Sequence, residues 1–363
     1  MTGKARNLLL GMIALAVASA AGAADIPNVI FDTDMWSDID DALALAMLHT
    51  LQDRHEAKLV AVTVSTGSPW CASYVDLVDS FYGHPRIPVG LVHDGVPFQA
   101  FQEKFPDTHW PPTRYTEIIA QRKAANGAPL YPHHLVDGAK APEAVSLLRK
   151  TLAAQPDGSV VMIATGYLTN LARLLDSKAD AASPLDGRAL IARKVRLLSV
   201  MAGNFGQTAA LPKGAPEFNI VVDIEAARKV YAGWPTPIVD SGYEIGLNLK
   251  YPGAAIPDPA KNPIADTYVA YCEEMKATDP SIGKCPEGHD HPTFDLTAVL
   301  YAIRPDGGYF SLSAPGRIGI ASDGASSFEE SAAGTHRYLI LDEQQRARTL
   351  NALVALVHAK AKS

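Results

Sequence analysis

The chain alternates between short apolar runs of strand length and longer segments whose apolar residues recur at helical spacing. Predicted strands cover residues 29–31, 58–66, 87–91, 160–164, 195–201 and 236–240, and helical patterns follow at 42–48, 72–82, 142–154, 171–176, 224–231, 264–274, 296–303 and 343–359. Two late runs, 317–322 and 337–341, are predicted to form a β-hairpin. The alternation predicts an α/β fold with a mainly parallel, twisted sheet and helices on both faces.

An unusually acidic loop follows the first predicted strand. Five carboxylates fall within ten residues, at Asp32, Asp34, Asp38, Asp40 and Asp41. Capping of the next helix explains one or two of them, and crowding the rest costs free energy unless a cation neutralises them. Open α/β sheets bind ligands where a strand ends in this way. We therefore predict a Ca²⁺ or Mg²⁺ site in preference to a solvated acidic loop.

Composition fits one large domain. The 363 residues are 47% hydrophobic and 20% charged, which is typical of a globular α/β chain. The formal charge of −7 argues against a generally basic surface for nucleic acid. We find no internal repeat and no interdomain linker, so residues 24–363 are predicted to form a single domain.

The N-terminus has the pattern of a secretory signal peptide. Lys4 and Arg6 precede an apolar stretch at 8–18, and small residues at 21–23 suit cleavage after Ala23. The apolar stretch is short for a membrane anchor. The mature protein is therefore expected to be periplasmic or secreted, with no membrane association. In such an oxidising compartment a disulfide between Cys272 and Cys285 is expected, which leaves Cys71 buried and unpaired.

Four motifs, taken in order along the chain, resemble the inosine–uridine preferring nucleoside hydrolase family. The first is Asp-Thr-Asp at 32–34 followed by Asp-Asp-Ala-Leu-Ala-Leu at 40–45, where residues 35–39 form a longer spacer than usual and add Asp38. The others are Thr-Gly-Tyr-Leu-Thr-Asn at 165–170, Glu-Phe-Asn at 217–219 and Thr-Phe-Asp at 293–295. Each motif alone is weak, but together they indicate a nucleoside hydrolase-like, Rossmann-like fold.

The resemblance implies a role for each motif. Calcium would be bound by Asp34, Asp41, Asp295 and the Thr165 carbonyl, with Asp34 also acting as the general base on a water. The ribose would be held by Asp40, Asn204, Glu217, Asn219 and Asp295. Asp32 would support the loop from behind the site.

The chain also departs from the family pattern. Many members have a histidine just before the last Asp, thought to protonate the leaving base, whereas this chain has Phe294. His291 is the better substitute and His289 the weaker one, although both can equally be exposed residues without a role. Ser65 to Ser68 replace a Gly-Asn pair that lies near the ribose in relatives. The aromatic-rich excursion at 94–140 can stack on a flat ligand or form satellite core.

The leading hypothesis is an exported, Ca²⁺-dependent N-ribosyl hydrolase that splits ribonucleosides into ribose and free base. One alternative is a phosphatase of the haloacid dehalogenase type, since those enzymes also begin with a strand and Asp-x-Asp. Another is a periplasmic nucleoside- or ribose-binding protein without activity. The sequence leaves the preferred base and a homo-oligomeric state open.

Overall fold

The computed structural model describes residues 26–97, 113–206, 208–209, 211–257 and 262–358. The predicted signal peptide lies outside these residues. Within them, ten strands form one sheet in the order β11-β10-β12-β6-β5-β4-β1-β2-β3, with β9 paired to β12. Neighbours from β3 through β1 to β6 and β12 are parallel, and β9, β10 and β11 run antiparallel to their partners. The predicted α/β class with a mainly parallel sheet is confirmed.

The bounds of the strands and helices follow the predicted alternation. The strands are β1 (Asn28–Thr33), β2 (Lys58–Val64), β3 (Val89–Leu91), β4 (Val160–Ala164), β5 (Val195–Met201), β6 (Ile238–Ser241), β7 (Lys250–Tyr251), β8 (His291–Pro292), β9 (Ser311–Leu312), β10 (Gly316–Ile320), β11 (Ser326–Glu330) and β12 (His336–Ile340). The helices are α1 (Asp40–Asp53), α2 (Pro69–Phe81), α3 (Tyr115–Ala120), α4 (Ala144–Ala154), α5 (Thr169–Asp176), α6 (Gly187–Lys194), α7 (Phe218–Val222), α8 (Ile224–Gly233), α9 (Tyr243–Leu247), α10 (Pro263–Thr278), α11 (Phe294–Ile303) and α12 (Glu343–Val357). Strands β7 and β8 form a separate two-stranded sheet.

The central strands are largely apolar because both faces of the sheet are covered. Side chains alternate across a strand, so Val29 and Phe31 of β1 enter one core and Ile30 enters the other. The first core is shared with α1, α2, α11 and α12, and the second with α4, α5, α6 and α8. Burial on both faces requires near-continuous hydrophobic runs, as the sequence has.

Strand β1 lies at the topological switch point of the sheet. The chain adds β2 and β3 on one side of β1, and then β4, β5 and β6 on the other. Asp32 of β1 pairs with Ala164 of β4, so the residues after both strands emerge at one edge. The crevice outside such carboxyl ends is where open α/β sheets bind ligands.

The predicted late hairpin needs correction. It joins β10 to β11, a strand within the Gly/Ser-rich segment, while β12 pairs in parallel with β6. The segment after Glu217 is the short helix α7. Among the residues that the structure describes, none of the helices is long and apolar enough to span a membrane.

A disulfide joins the end of α10 to the loop before β8. Cys272 and Cys285 are bridged with their Cα atoms 5.8 Å apart, as predicted, and Cys71 is free and buried. The bridged loop leads directly into His289 and His291, and the bridge therefore anchors the segment that carries these two rings.

Candidate active site

The acidic loop leaves β1 along a constrained path. Met35 and Ser37 adopt left-handed backbone angles, with φ of 46° and 71°, which side chains other than glycine adopt at a cost. Two residues from the excursion hold the loop: the Thr113 hydroxyl donates to the Ser37 carbonyl at 2.8 Å, and the Tyr115 hydroxyl to the Asp38 carbonyl at 2.9 Å. The loop is thus fixed by tertiary contacts and presents its carboxylates in one arrangement.

The turn after β4 brings Thr165 against this loop. A Cβ atom on Gly166 would lie 2.4 Å from the Asp34 backbone nitrogen, so only glycine fits this close approach. The Thr165 hydroxyl lies 3.4 Å from Asp41 Oδ1. Close packing therefore explains the glycine of the Thr-Gly-Tyr motif and brings Thr165 against the acidic loop.

The carboxylates form a buried cluster. Oxygens of Asp40, Asp41 and Asp295 lie within 4.8 Å of one another, and Asp34 contacts Asp41. Burial raises the pKa of Asp34, Asp40 and Asp295 well above the usual value, and the charges of neighbouring aspartates raise each of them further. A divalent cation among these oxygens would offset both the desolvation and the repulsion.

The predicted ligands fit a hard cation. Asp34, Asp41, Asp295 and Thr165 line one cavity of about 290 Å³. The Thr165 carbonyl accepts a 3.3 Å hydrogen bond from the Asn219 amide, and a carbonyl oxygen has a second lone pair for a metal. Three carboxylates and one carbonyl are the all-oxygen donors that Ca²⁺ and Mg²⁺ prefer.

Glu217 and Asn219 line the same cavity, with Asn219 directly beside Thr165. Glu217 caps α7 and accepts from the backbone amides of Gly203 and Asn219, both at 3.0 Å. Burial raises the pKa of Glu217 to about 7. The Asn219 amide donates to the Met201 carbonyl at 3.0 Å. Backbone contacts at the end of β5 therefore hold both side chains in place.

Seven of the predicted site residues meet in this cavity, and two do not line it. The seven are Asp34, Asp40, Asp41, Thr165, Glu217, Asn219 and Asp295. Asn204 instead donates to the Pro212 carbonyl at 2.6 Å and thereby closes the loop that precedes Pro216 and Glu217. His291 is buried behind Asp38, with its Nε2 atom 3.8 Å from Asp38 Oδ2. Burial lowers the pKa of His291 to about 3.

Asp32 lies outside the cavity. Its carboxylate accepts hydrogen bonds from the Thr63 hydroxyl and, at 2.8 Å, from the Asn170 amide. This placement agrees with the predicted supporting role. Ser65 and Ser68 do not line the cavity in the described part of the chain.

An aromatic wall was missed by the sequence analysis. Tyr243 and Phe294 stack with ring centroids 5.2 Å apart, and both line the cavity together with Trp36. Helix α9, which carries Tyr243, is five residues long and gives no periodic signal. Gly246 of this helix packs closely against Phe294, because a Cβ atom at position 246 would lie 2.4 Å from the Phe294 backbone.

The aromatic residues of the excursion are only partly described. Tyr115 is buried core, edge-on to Tyr74 and Tyr271. The other aromatic residues of the excursion, for which stacking on a ligand and satellite core were both left open, lie outside the described residues: Phe98, Phe101, Phe105 and Trp110. For Tyr115, the satellite-core interpretation is therefore the correct one.

The fold and the site together define an α/β protein with a carboxylate-rich pocket at the switch point of its sheet. The chain belongs to the inosine-uridine preferring nucleoside hydrolase family, whose sequence profile matches residues 29–358. It is therefore a hydrolase that acts on the N-glycosyl bonds of nucleosides, in a metal-dependent family. The match also removes the haloacid dehalogenase alternative.

Solved structures share the fold at low sequence identity. A plant nucleoside hydrolase has a TM-score of 0.62 at 20% identity, over 92% of this chain and 99% of that chain. A purine-preferring ribonucleoside hydrolase from Gardnerella vaginalis has a TM-score of 0.62 at 18% identity, over 91% and 98%. The type III effector protein XopQ, complexed with adenosine diphosphate ribose, has a TM-score of 0.64 at 18% identity, over 93% and 95%. No curated protein sequence matches the chain.

Proposed function

We propose that this protein is an exported, Ca²⁺-dependent N-ribosyl hydrolase that converts ribonucleosides to ribose and free base. The observation that carries the proposal is the convergence of three segments on one cavity. These segments are the acidic loop after β1, the Thr165 turn after β4 and the start of α11, and they bring Asp34, Asp41, Thr165 and Asp295 into one cavity with Glu217 and Asn219.

Each side chain has a task in this scheme. Calcium held by Asp34, Asp41, Asp295 and the Thr165 carbonyl would supply positive charge for the sugar hydroxyls and would lower the pKa of a water. Asp34 is the base that takes a proton from the water attacking C1′, while the C–N bond breaks and positive charge develops on the sugar ring. Asp40, Glu217 and Asn219 orient the ribose, which keeps C1′ in line with the water.

The base leaves toward the aromatic wall. Trp36, Tyr243 and Phe294 offer ring faces on which a planar base can stack. Phe294 cannot donate a proton, and a proton from His291 would have to travel past the Asp38 carboxylate, which lies between this ring and the cavity. The assignment of His291 as leaving-group acid thus remains a prediction from sequence.

Ribose recognition tests the proposal directly. Purified mature protein is expected to release free base from ribonucleosides, and Glu217→Gln or Asn219→Ala is expected to lower kcat/KM. Loss of a buried hydrogen-bonding partner costs about 1–3 kcal/mol, which corresponds to roughly 5- to 150-fold. Base release is measured by chromatography over a panel of purine and pyrimidine ribonucleosides and their 2′-deoxy counterparts.

The matched control for these variants is Asn204→Ala. Asn204 does not line the cavity, and its amide only closes the loop that precedes Pro216, so we expect a smaller loss that is similar for ribo- and 2′-deoxyribonucleosides. Glu217→Gln and Asn219→Ala should instead reduce the difference in kcat/KM between ribonucleosides and 2′-deoxyribonucleosides. Wild-type rates in both variants would refute the ribose assignment.

Export is tested on protein recovered from the source cell. Mass spectrometry is expected to find a mature N-terminus at Ala24 and a linked peptide pair containing Cys272 and Cys285, which the structure bridges. An active protein that retains Met1 would contradict export by cleavage. Free thiols at both positions would contradict the disulfide alone, since the two observations are independent.

A further inference from the structure

Asp38, Asp40 and His291 form a second group of ligating side chains beside the carboxylate cluster. Each contributes an atom, and these atoms lie within 4.8 Å of one another. Asp38 comes from the longer acidic loop, Asp40 from the start of α1, and His291 from β8. Only Asp40 is shared with the Asp40, Asp41 and Asp295 group.

The Nε2 atom of the His291 imidazole has no hydrogen-bonding partner among the described residues, and the side chain is 6% exposed. Nε2 lies 3.8 Å from Asp38 Oδ2, which is too far for a hydrogen bond. Buried polar atoms rarely remain unpaired, because the desolvation cost is then not recovered. The gap between His291 Nε2 and Asp38 Oδ2 is of the size expected between two ligands of one metal ion.

The two carboxylates are oriented toward this gap by other residues. The Tyr271 hydroxyl donates to Asp38 Oδ1 at 3.2 Å, and the Asp295 backbone amide donates to Asp40 Oδ2 at 3.0 Å. One oxygen of each carboxylate is thereby held, and the other remains for a ligand. Hydrogen bonds of this kind orient the ligands in metal sites.

The donor set indicates the class of ion. A nitrogen from imidazole suits zinc, iron, nickel and copper, whereas carboxylates alone suit calcium, magnesium and manganese. Zinc accepts both histidine nitrogen and aspartate oxygen, and zinc sites that bind water or substrate have three protein ligands and one open position. The first site has no nitrogen donor, so the two sites differ in the ion they favour.

We propose that Asp38, Asp40 and His291 bind a divalent first-row transition-metal ion, typified by Zn²⁺, next to the calcium. The ion would neutralise the two carboxylates that calcium does not bind directly and would fix Asp40. This gives His291 a different role from the proton donor predicted from the sequence. The inference rests on three side chains and does not require the proposed nucleoside substrate.

The test uses Co²⁺ as a spectroscopic probe in the full mature protein, with excess Ca²⁺ to fill the first site. Wild type is expected to bind one Co²⁺ and to show the visible absorption of cobalt with nitrogen and oxygen ligands. His291→Gln and Asp38→Asn are each expected to weaken cobalt binding by at least about 100-fold, since loss of an outer partner alone costs about 10- to 100-fold. Calcium content, measured by elemental analysis, should stay unchanged in both.

His289→Gln is the matched control. The His289 ring lies 5.6 Å from that of His291 but belongs to neither ligand group in the described part of the chain, so cobalt binding should persist. The proposal is overturned if wild type binds no cobalt, or if His291→Gln binds it as tightly as wild type. It is also overturned if a crystal grown with Zn²⁺ shows only a water between His291 and Asp38, with no anomalous signal at that position. Failure of calcium binding or of base release would instead count against the proposed function.

Discussion

Asp34→Asn will lower kcat for ribonucleoside hydrolysis by about 10²- to 10⁴-fold, the range that a positioned general base contributes. Asparagine keeps the size of the side chain and one ligating oxygen but cannot accept the proton of the attacking water. Asp34 lines the cavity beside Asp41, and burial together with the neighbouring charges raises its pKa. Single-turnover rates with a saturating ribonucleoside measure the effect on the chemical step.

Asp32→Asn is the control two residues away. Asp32 is equally buried, but its carboxylate accepts from Thr63 and Asn170 outside the cavity, and an amide oxygen can accept the same bonds. We expect a loss of less than about tenfold, as for a residue that only supports the loop. Comparable losses in the two variants would mean that Asp34 serves the fold of the loop and not the proton transfer.

The sequence predicted the part of the site that depends on local motifs. Aspartates directly after a buried strand, a Thr-Gly turn after another strand, and an Asp at a helix start all lie where β1, β4 and α11 place them. The switch point of a parallel sheet then brings these ends together, whatever the sequence distance between them. Asp34 and Asp295 share one cavity for this reason.

The features that could not be predicted from the sequence depend on packing between distant parts of the chain. Asn204 follows a strand and looks like a ligand-binding residue, but its amide is used by the Pro212 carbonyl. His291 lies next to Asp38, and the hydroxyl of Tyr271 in α10 donates to Asp38 from a distant part of the chain. Strand β11 was missed because its outward side chains are polar and the segment Ser326–Glu330 has no apolar run. Tertiary context decided all three outcomes.

Asp41→Asn will abolish stoichiometric calcium binding and nearly all hydrolysis. Asp41 is the most central carboxylate of the cluster, since Asp34, Asp40 and Asp295 all interact with it. In wild type, calcium at 100 times its dissociation constant should stabilise the fold by about 2.7 kcal/mol. The variant should melt at the same temperature with and without calcium. Calcium is measured by elemental analysis, and melting by differential scanning calorimetry.

The calcium-free proteins provide the sharper comparison. Without the ion, Asp41 is one of several buried carboxylates that repel one another, so removing its charge relieves repulsion. Its hydrogen bond from Thr33 can pass to the amide oxygen of asparagine. We therefore expect calcium-free Asp41→Asn to melt at or above calcium-free wild type. Asp186→Asn, which replaces the exposed cap of α6, should keep the full calcium-dependent rise in Tm. If Asp41→Asn still binds calcium and shows that rise, then Asp41 is not a ligand, and the cation site must be reassigned to the remaining carboxylates.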